Sequence, residues 1–194
     1  MFGCLAAWLT LVLAGMGMLI DFSSQPGDPG KPTTLWPNST DLALSADGPT
    51  VVIGIHSECP CSNAAIADYE RLLAKINSPV LTYLVVTTPS GMPSGTKENR
   101  LLERMRLLPG STVVLDPDGN YTRAFGLATS GQTLLFQTNG ALAFSGGITD
   151  GRGHEGSTLA AGELRHLIET GDAPRAIRPV FGCHLQNQFS PEAT

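Results

Sequence analysis

Charge is scarce in this chain. Asp, Glu, Lys and Arg make up 15% of the 194 residues, and 12 basic side chains face 17 acidic ones, a net charge of −5. Such a balance leaves no electrostatic footprint for nucleic acid or an anionic lipid surface. Aromatic residues are only 6%, too few for a base-stacking platform. No Gly-Lys-Ser/Thr follows the glycine-rich stretches, which removes a phosphate loop. No nucleophile elbow supports a Ser-His-Asp set. There is no internal repeat. Cysteine occurs four times, at 4, 59, 61 and 183, and that spacing is not a recognised zinc pattern.

What is present is a globular composition, 42% hydrophobic, with room for one ordinary domain plus a tail or anchor. Phe2 to Ile20 carries no charge. At about 1.5 Å per residue that run is just long enough to span a bilayer. No Lys or Arg precedes it and no clean small-x-small cleavage site follows, so residues 1–22 read as an uncleaved signal-anchor rather than a cleaved signal peptide. A core helix is the bland alternative. Either targeting reading puts the remainder outside the cytoplasm. Residues 23–48 are rich in Pro, Gly, Ser and Thr and read as a linker, with Trp36 and Leu42 available to dock on the domain at 49–171. A tail at 172–194 carries Cys183.

Within the domain, TVVIGI (50–55) is a buried strand by its β-branched run. Ile66, Tyr69, Leu72, Leu73 and Ile76 then recur at helical spacing. VLTYLVVTT (80–88) is a second strand, KENRLLERMRLL (97–108) a second helix, STVVLD (111–116) a third strand and YTRAFGL a short helix. QTLLFQT (132–138) and ALAFSGG (141–147) flank Asn139-Gly140, the strongest short hairpin signal. STLAAGELRHLIETG closes the domain as a helix. Alternating strands and helices predict an α/β fold, with parallel βαβ units, a mixed central sheet and helices on both faces.

The chemistry concentrates at HSECPCS. Cys59 follows a buried strand and stands at a helix mouth, where free N–H groups and a positive potential stabilise a thiolate. Pro60 suits the first helical turn, because its missing N–H had no partner there. Cys61 lies two residues on. Within one helix those side chains diverge, so Cys59 must sit outside it if the sulfurs are to meet. A bond between them would close a small, strained and easily reduced ring. Cys61 as a small buried hydrophobe is the alternative. Cys183, in PVFGCHL, is a resolving thiol for Cys59, a third metal ligand beside His184, or a loose tail thiol. His56 tunes the thiolate, ligates metal, or merely packs at a strand end. Five glycines between 146 and 156 let Arg152 and His154 approach a site closely, or belong to a solvated loop. Soft thiolates with imidazole suit copper(I) or zinc, giving Cys59, Cys61, Cys183 and His184 as the alternative ligand set. Cys4 is inert in the apolar span.

VVIGIHSECPCSNAAIADYERLL resembles the first strand, active-site turn and first helix of the thioredoxin-like superfamily. VVLDPDGNYTRAFGL resembles a segment of its membrane-anchored, extracytoplasmic redoxins and peroxiredoxin-related members, and SGQTLLFQTNGALAFSGG resembles the late hairpin. CPCS, SGGIT-x-x-RGHEG and VFGC look similar to the bacterial RedB-type proteins. The resemblance covers about residues 45–171. It implies a thioredoxin-like fold, thiol–disulfide exchange or peroxide reduction through Cys59 and Cys61, with Cys183 as rival resolving thiol, no organic cofactor, and a redox partner protein or membrane reductant on the periplasmic side. Two departures stand out. The usual Cys-x-x-Cys is Cys59-Pro60-Cys61 here, and Gln132 stands where such proteins carry a cis-proline.

Overall fold

The computed structural model describes residues 2–57, 59–87, 100–171 and 176–185. Helix α1 (Phe2–Ser24) comes first. The domain follows as β1 (Thr50–His56), α2 (Pro60–Leu73), β2 (Leu81–Thr87), α3 (Arg100–Arg106), β3 (Ser111–Leu115), α4 (Asn120–Phe125), β4 (Thr133–Phe136), β5 (Leu142–Gly146), α5 (Leu159–Thr170) and β6 (Ala176–Ile177). The loop expected at 89–95 and the first three residues of the helix expected at 97–108 lie outside the described residues.

The six strands form one mixed sheet in the order β3-β2-β1-β4-β5-β6. β1 runs parallel to β2 and antiparallel to β4. β6, two residues paired to β5 at the edge, is too short to leave a period in the sequence.

Alternation along β1 sorts the core. Val51, Ile53 and Ile55 face one layer, with Ile66 and Tyr69 of α2, Leu101 and Met105 of α3, and Leu164 and Leu167 of α5. Val52 faces the other, with Phe125 of α4 and Leu134 and Phe136 of β4. The helix cover on this second face is short, and residues 27–44 supply the rest. Trp36 packs edge-on to Phe125 and Phe136, each at 5.1 Å between ring centroids. Leu142 N–H donates to Thr34 O at 3.0 Å, and Tyr83 O–H donates to Ala43 O at 3.0 Å.

α1 is the one described helix long and apolar enough to cross a membrane, over Leu5–Ser24. Its apolar side chains are exposed, Trp8, Leu11 and Leu19 among them.

Candidate functional site

β1 delivers the chain to the cysteine pair from the centre of the sheet. Cys59 is the N-cap of α2, with extended backbone (φ −93°, ψ 124°), and Pro60 is the first helical residue. Cys59 therefore stands outside the helix and Cys61 inside it. Cys59 O accepts from Ser62 N–H at 3.0 Å, while Ser62 Oγ accepts from His56 N–H at 3.0 Å. The turn is thus tied to the strand end by the Ser62 hydroxyl and by Cys59 N–H, which donates to His56 O at 3.1 Å.

A second segment, 182–185, crosses the same point. Ser130 N–H donates to Cys183 O at 2.8 Å, and Leu185 N–H donates to Ala128 O at 2.8 Å. Cys183 N–H in turn donates to Ser130 Oγ at 3.0 Å. These contacts lay the segment antiparallel along residues 128–130, with Leu185 buried in the second core layer. Gly182 is required by close approach: a Cβ there would lie 2.1 Å from Ser130 O. Gly182→Ala is therefore expected to cost about 1–3 kcal/mol by overpacking and to separate Cys183 from Cys59. Thermal unfolding together with the yield of the Cys59–Cys183 disulfide on oxidation checks it; unchanged values in both would contradict the packing described.

The result is a cluster of three sulfurs. Cys59 Sγ and Cys183 Sγ are 2.8 Å apart, and all three cysteine sulfurs lie within 4.8 Å of one another. Cys59 is 2% and Cys61 6% exposed, whereas Cys183 is an exposed residue. The Cys61 thiol, donating to Cys59, is the largest influence holding the Cys59 thiol down to about 4. Burial opposes it, and Cys183 and Ser130 add further hydrogen bonds. One proton fewer is thus shared among three thiols. The cost falls on the neighbours. Cys61 is pushed strongly up, first by its bond to Cys59 and then by burial, with Gly153 N–H partly offsetting. Cys183 is pushed up to about 11, first by burial and then by Cys59, with the Arg152 charge pulling the other way.

The remaining residues singled out in the sequence take varied places. Arg152 donates to Gly182 O and lies 4.9 Å over the Phe22 ring, so it braces the Cys183 segment. His154 is exposed and its Nδ1 meets Arg152 O at 3.1 Å. The 151–156 loop is pinned to α2 by Asp68, whose Oδ1 accepts from Gly156 N–H at 2.9 Å. His56 contributes its backbone to the turn. His184 is exposed, paired through its backbone with Thr129, and is not among the ligand atoms gathered with the three sulfurs.

Gln132 is buried but turns away from the sulfurs. Its Oε1 accepts from Ala128 N–H at 2.9 Å, and its Nε2 donates to Pro29 O at 2.6 Å. The side chain facing the sulfurs is Ser130, whose Oγ is 3.3 Å from Cys59 Sγ. Ser130 was not legible as a site residue in the sequence. It stood in the Ser-Gly-Gln-Thr stretch, but nothing in spacing or composition separates its hydroxyl from the neighbouring amide. A hydrogen bond to a charged group is worth about 1.5–3 kcal/mol, so Ser130→Ala is expected to raise the Cys59 thiol by roughly 1–2 pH units. Ultraviolet thiolate absorbance against pH measures this, and an unmoved titration would rule the contact out.

Sheet order, the strand–cysteine–helix turn and the late antiparallel hairpin together define a thioredoxin-like fold. No protein-family model matches the chain, and no curated protein matches it in sequence. Solved structures do. A hypothetical protein from Sinorhizobium meliloti 1021 matches at TM-score 0.62 and 18% identity, covering 80% of this chain and 96% of its own. An uncharacterized conserved protein from Geobacillus kaustophilus matches at 0.60 and 18%, covering 88% and 95%. An exposed lipoprotein thioredoxin from Streptococcus pneumoniae strain TIGR4 aligns more loosely, at 0.43 and 15%, over 63% and 84%. At 18% identity the first two matches speak to the fold alone.

Proposed function

We propose that this protein is a membrane-anchored, extracytoplasmic thiol–disulfide oxidoreductase whose redox couple is Cys59 and Cys183. One observation carries the reading: the low-lying thiolate of Cys59 has a second thiol sulfur 2.8 Å away, supplied by a distant segment. Disulfide formation needs this arrangement of a stabilised thiolate and an adjacent sulfur. Cys61 supports it as the hydrogen-bond donor that stabilises Cys59 and as a second sulfur within reach. Peroxide reduction would end in the same bond: Cys59 sulfenic acid condenses with the Cys183 thiol and releases water. A dithiol reductant then restores the pair. Helix α1 supplies the anchor through its length and apolarity, the domain is residues 49–171 with residues 27–44 and 182–185 packed on it, and the partner is a redox protein or membrane reductant.

Intact mass and disulfide mapping of the full chain, oxidised and then reduced, test the reading. The expected product is about two mass units light, linked Cys59 to Cys183 and reversed by a dithiol. Thiols that stay reduced under mild oxidant would reject it.

The three sulfurs also support a second reading, in which the reduced protein holds one soft metal ion, copper(I) or zinc, on Cys59, Cys61 and Cys183. The donors are soft and gathered within 4.8 Å. Anaerobic metal titration of wild type and each Cys→Ser variant decides it: one equivalent lost with any of the three supports it, and no bound metal rejects it.

A further inference from the structure

We infer that external thiols and disulfides exchange with this site at Cys183, while Cys59 acts behind it as the internal partner. This rests on the thiol–disulfide reading of the site. Three observations carry it. First, access is one-sided. Cys59 is 2% exposed and lies beneath Ser130, Cys61 and Cys183, whereas Cys183 is exposed. Displacement at a disulfide runs in line with the S–S bond, so the sulfur open to solvent is the one an incoming thiolate meets.

Second, the backbone beside Cys59 is already paired. A polypeptide reaching Cys59 would pair along residues 128–130, the turn ahead of β4, as an extended peptide pairs with a strand. Here Cys183 O and Leu185 N–H already occupy Ser130 N–H and Ala128 O. The segment is held firmly: Leu185 is buried and Gly182 is pressed on Ser130. A protein partner therefore finds Cys183 presented on this strand and Cys59 behind it.

Third, the leaving group favours the same direction. A thiol of lower pKa leaves faster, and Cys59 is the sulfur whose thiolate is stabilised by neighbouring donors.

A partner thiolate attacks Cys183 Sγ of the Cys59–Cys183 disulfide. The bond between partner sulfur and Cys183 forms, the S–S bond breaks, and its electron pair leaves with Cys59 as thiolate. The partner's second thiol then closes the partner's own disulfide. Cys183 departs with that thiol's proton. Two electrons pass from the partner dithiol to the pair. In reverse, Cys59 captures the mixed disulfide on Cys183.

The test uses the full chain in detergent micelles, oxidised, with the disulfide first located by peptide mapping. Reduced glutathione, a monothiol, is then added, and early samples are quenched with acid and N-ethylmaleimide. Cys61→Ser is run beside wild type to block shuffling to the third sulfur. The expected adduct is glutathione on Cys183 in roughly tenfold or greater excess over Cys59, with maleimide on Cys59. Equal labelling, or glutathione mainly on Cys59 or Cys61, overturns the inference and leaves the redox reading standing. A mild oxidant that yields no Cys59–Cys183 bond overturns that reading and the inference with it.

Discussion

Mild oxidation of the reduced protein is expected to raise its unfolding temperature by on the order of 10 °C. Cys59 and Cys183 are 124 residues apart. Closing a loop of that size removes enough freedom from the unfolded chain to stabilise the fold by about 5 kcal/mol. A Cys59–Cys61 bond closes a loop of three residues. By the same relation it stabilises by only about 1.5 kcal/mol, a shift of a few degrees. The size of the shift therefore reports which pair forms. Calorimetry with and without reductant, on wild type and Cys183→Ser, measures it. The large shift should vanish in Cys183→Ser. An equal shift in both proteins would show that Cys183 is not the partner.

Cys59→Ser is expected to slow reduction of a small disulfide such as hydroxyethyl disulfide, with dithiothreitol as reductant, by about 10³-fold or more. The hydroxyl cannot capture the mixed disulfide formed on Cys183, and it takes the place of the sulfur whose thiolate the site stabilises near neutral pH. Retention of even a tenth of the wild-type rate would remove Cys59 from the reaction. The same substitution carries a pH signature. The Cys59 thiol sits near 4 in the fold and near 8.5 in an unfolded chain. Between those values the unfolded chain holds a proton that the folded, reduced protein does not. Stability therefore rises with pH across this window, by at most about 1.4 kcal/mol per unit, and the contribution is lost as pH falls through 4. Above the ordinary thiol range the sign reverses, because the fold keeps protons on Cys61 and Cys183 that the unfolded chain gives up. Denaturant unfolding of reduced wild type and Cys59→Ser should converge as pH falls toward 4. Parallel curves would mean that Cys59 is an ordinary thiol in the fold.

Much of this architecture was legible in the sequence because its signals are local. The β-branched run at 50–55 became β1, the Asn139-Gly140 turn joined β4 to β5, and Pro60 opened α2 directly after Cys59. Each rests on backbone preference or side-chain period within a few residues, which is what a linear reading detects. Residues 27–44 carry no such period. Their order comes from Trp36 packing among Tyr83, Phe125 and Phe136, contacts that no spacing within the segment announces.

Local signals were enough to specify the fold class, the apolar N-terminal helix, and the placing of Cys59 just ahead of a helix with Cys61 just within it. Which groups surround that sulfur depends on the folded chain. Ser130 and Cys183 stand 71 and 124 residues from Cys59 along the chain. They reach it because the sheet order puts β4 beside β1 and because segment 182–185 pairs with residues 128–130. Gln132, where a sequence reading looks for contact with the sulfurs, turns instead to the backbone of Ala128 and Pro29. The physical reason is range. Strand and helix preferences act over a few residues, whereas hydrogen bonds to a thiolate act over a few ångströms, and only the folded chain converts the first distance into the second.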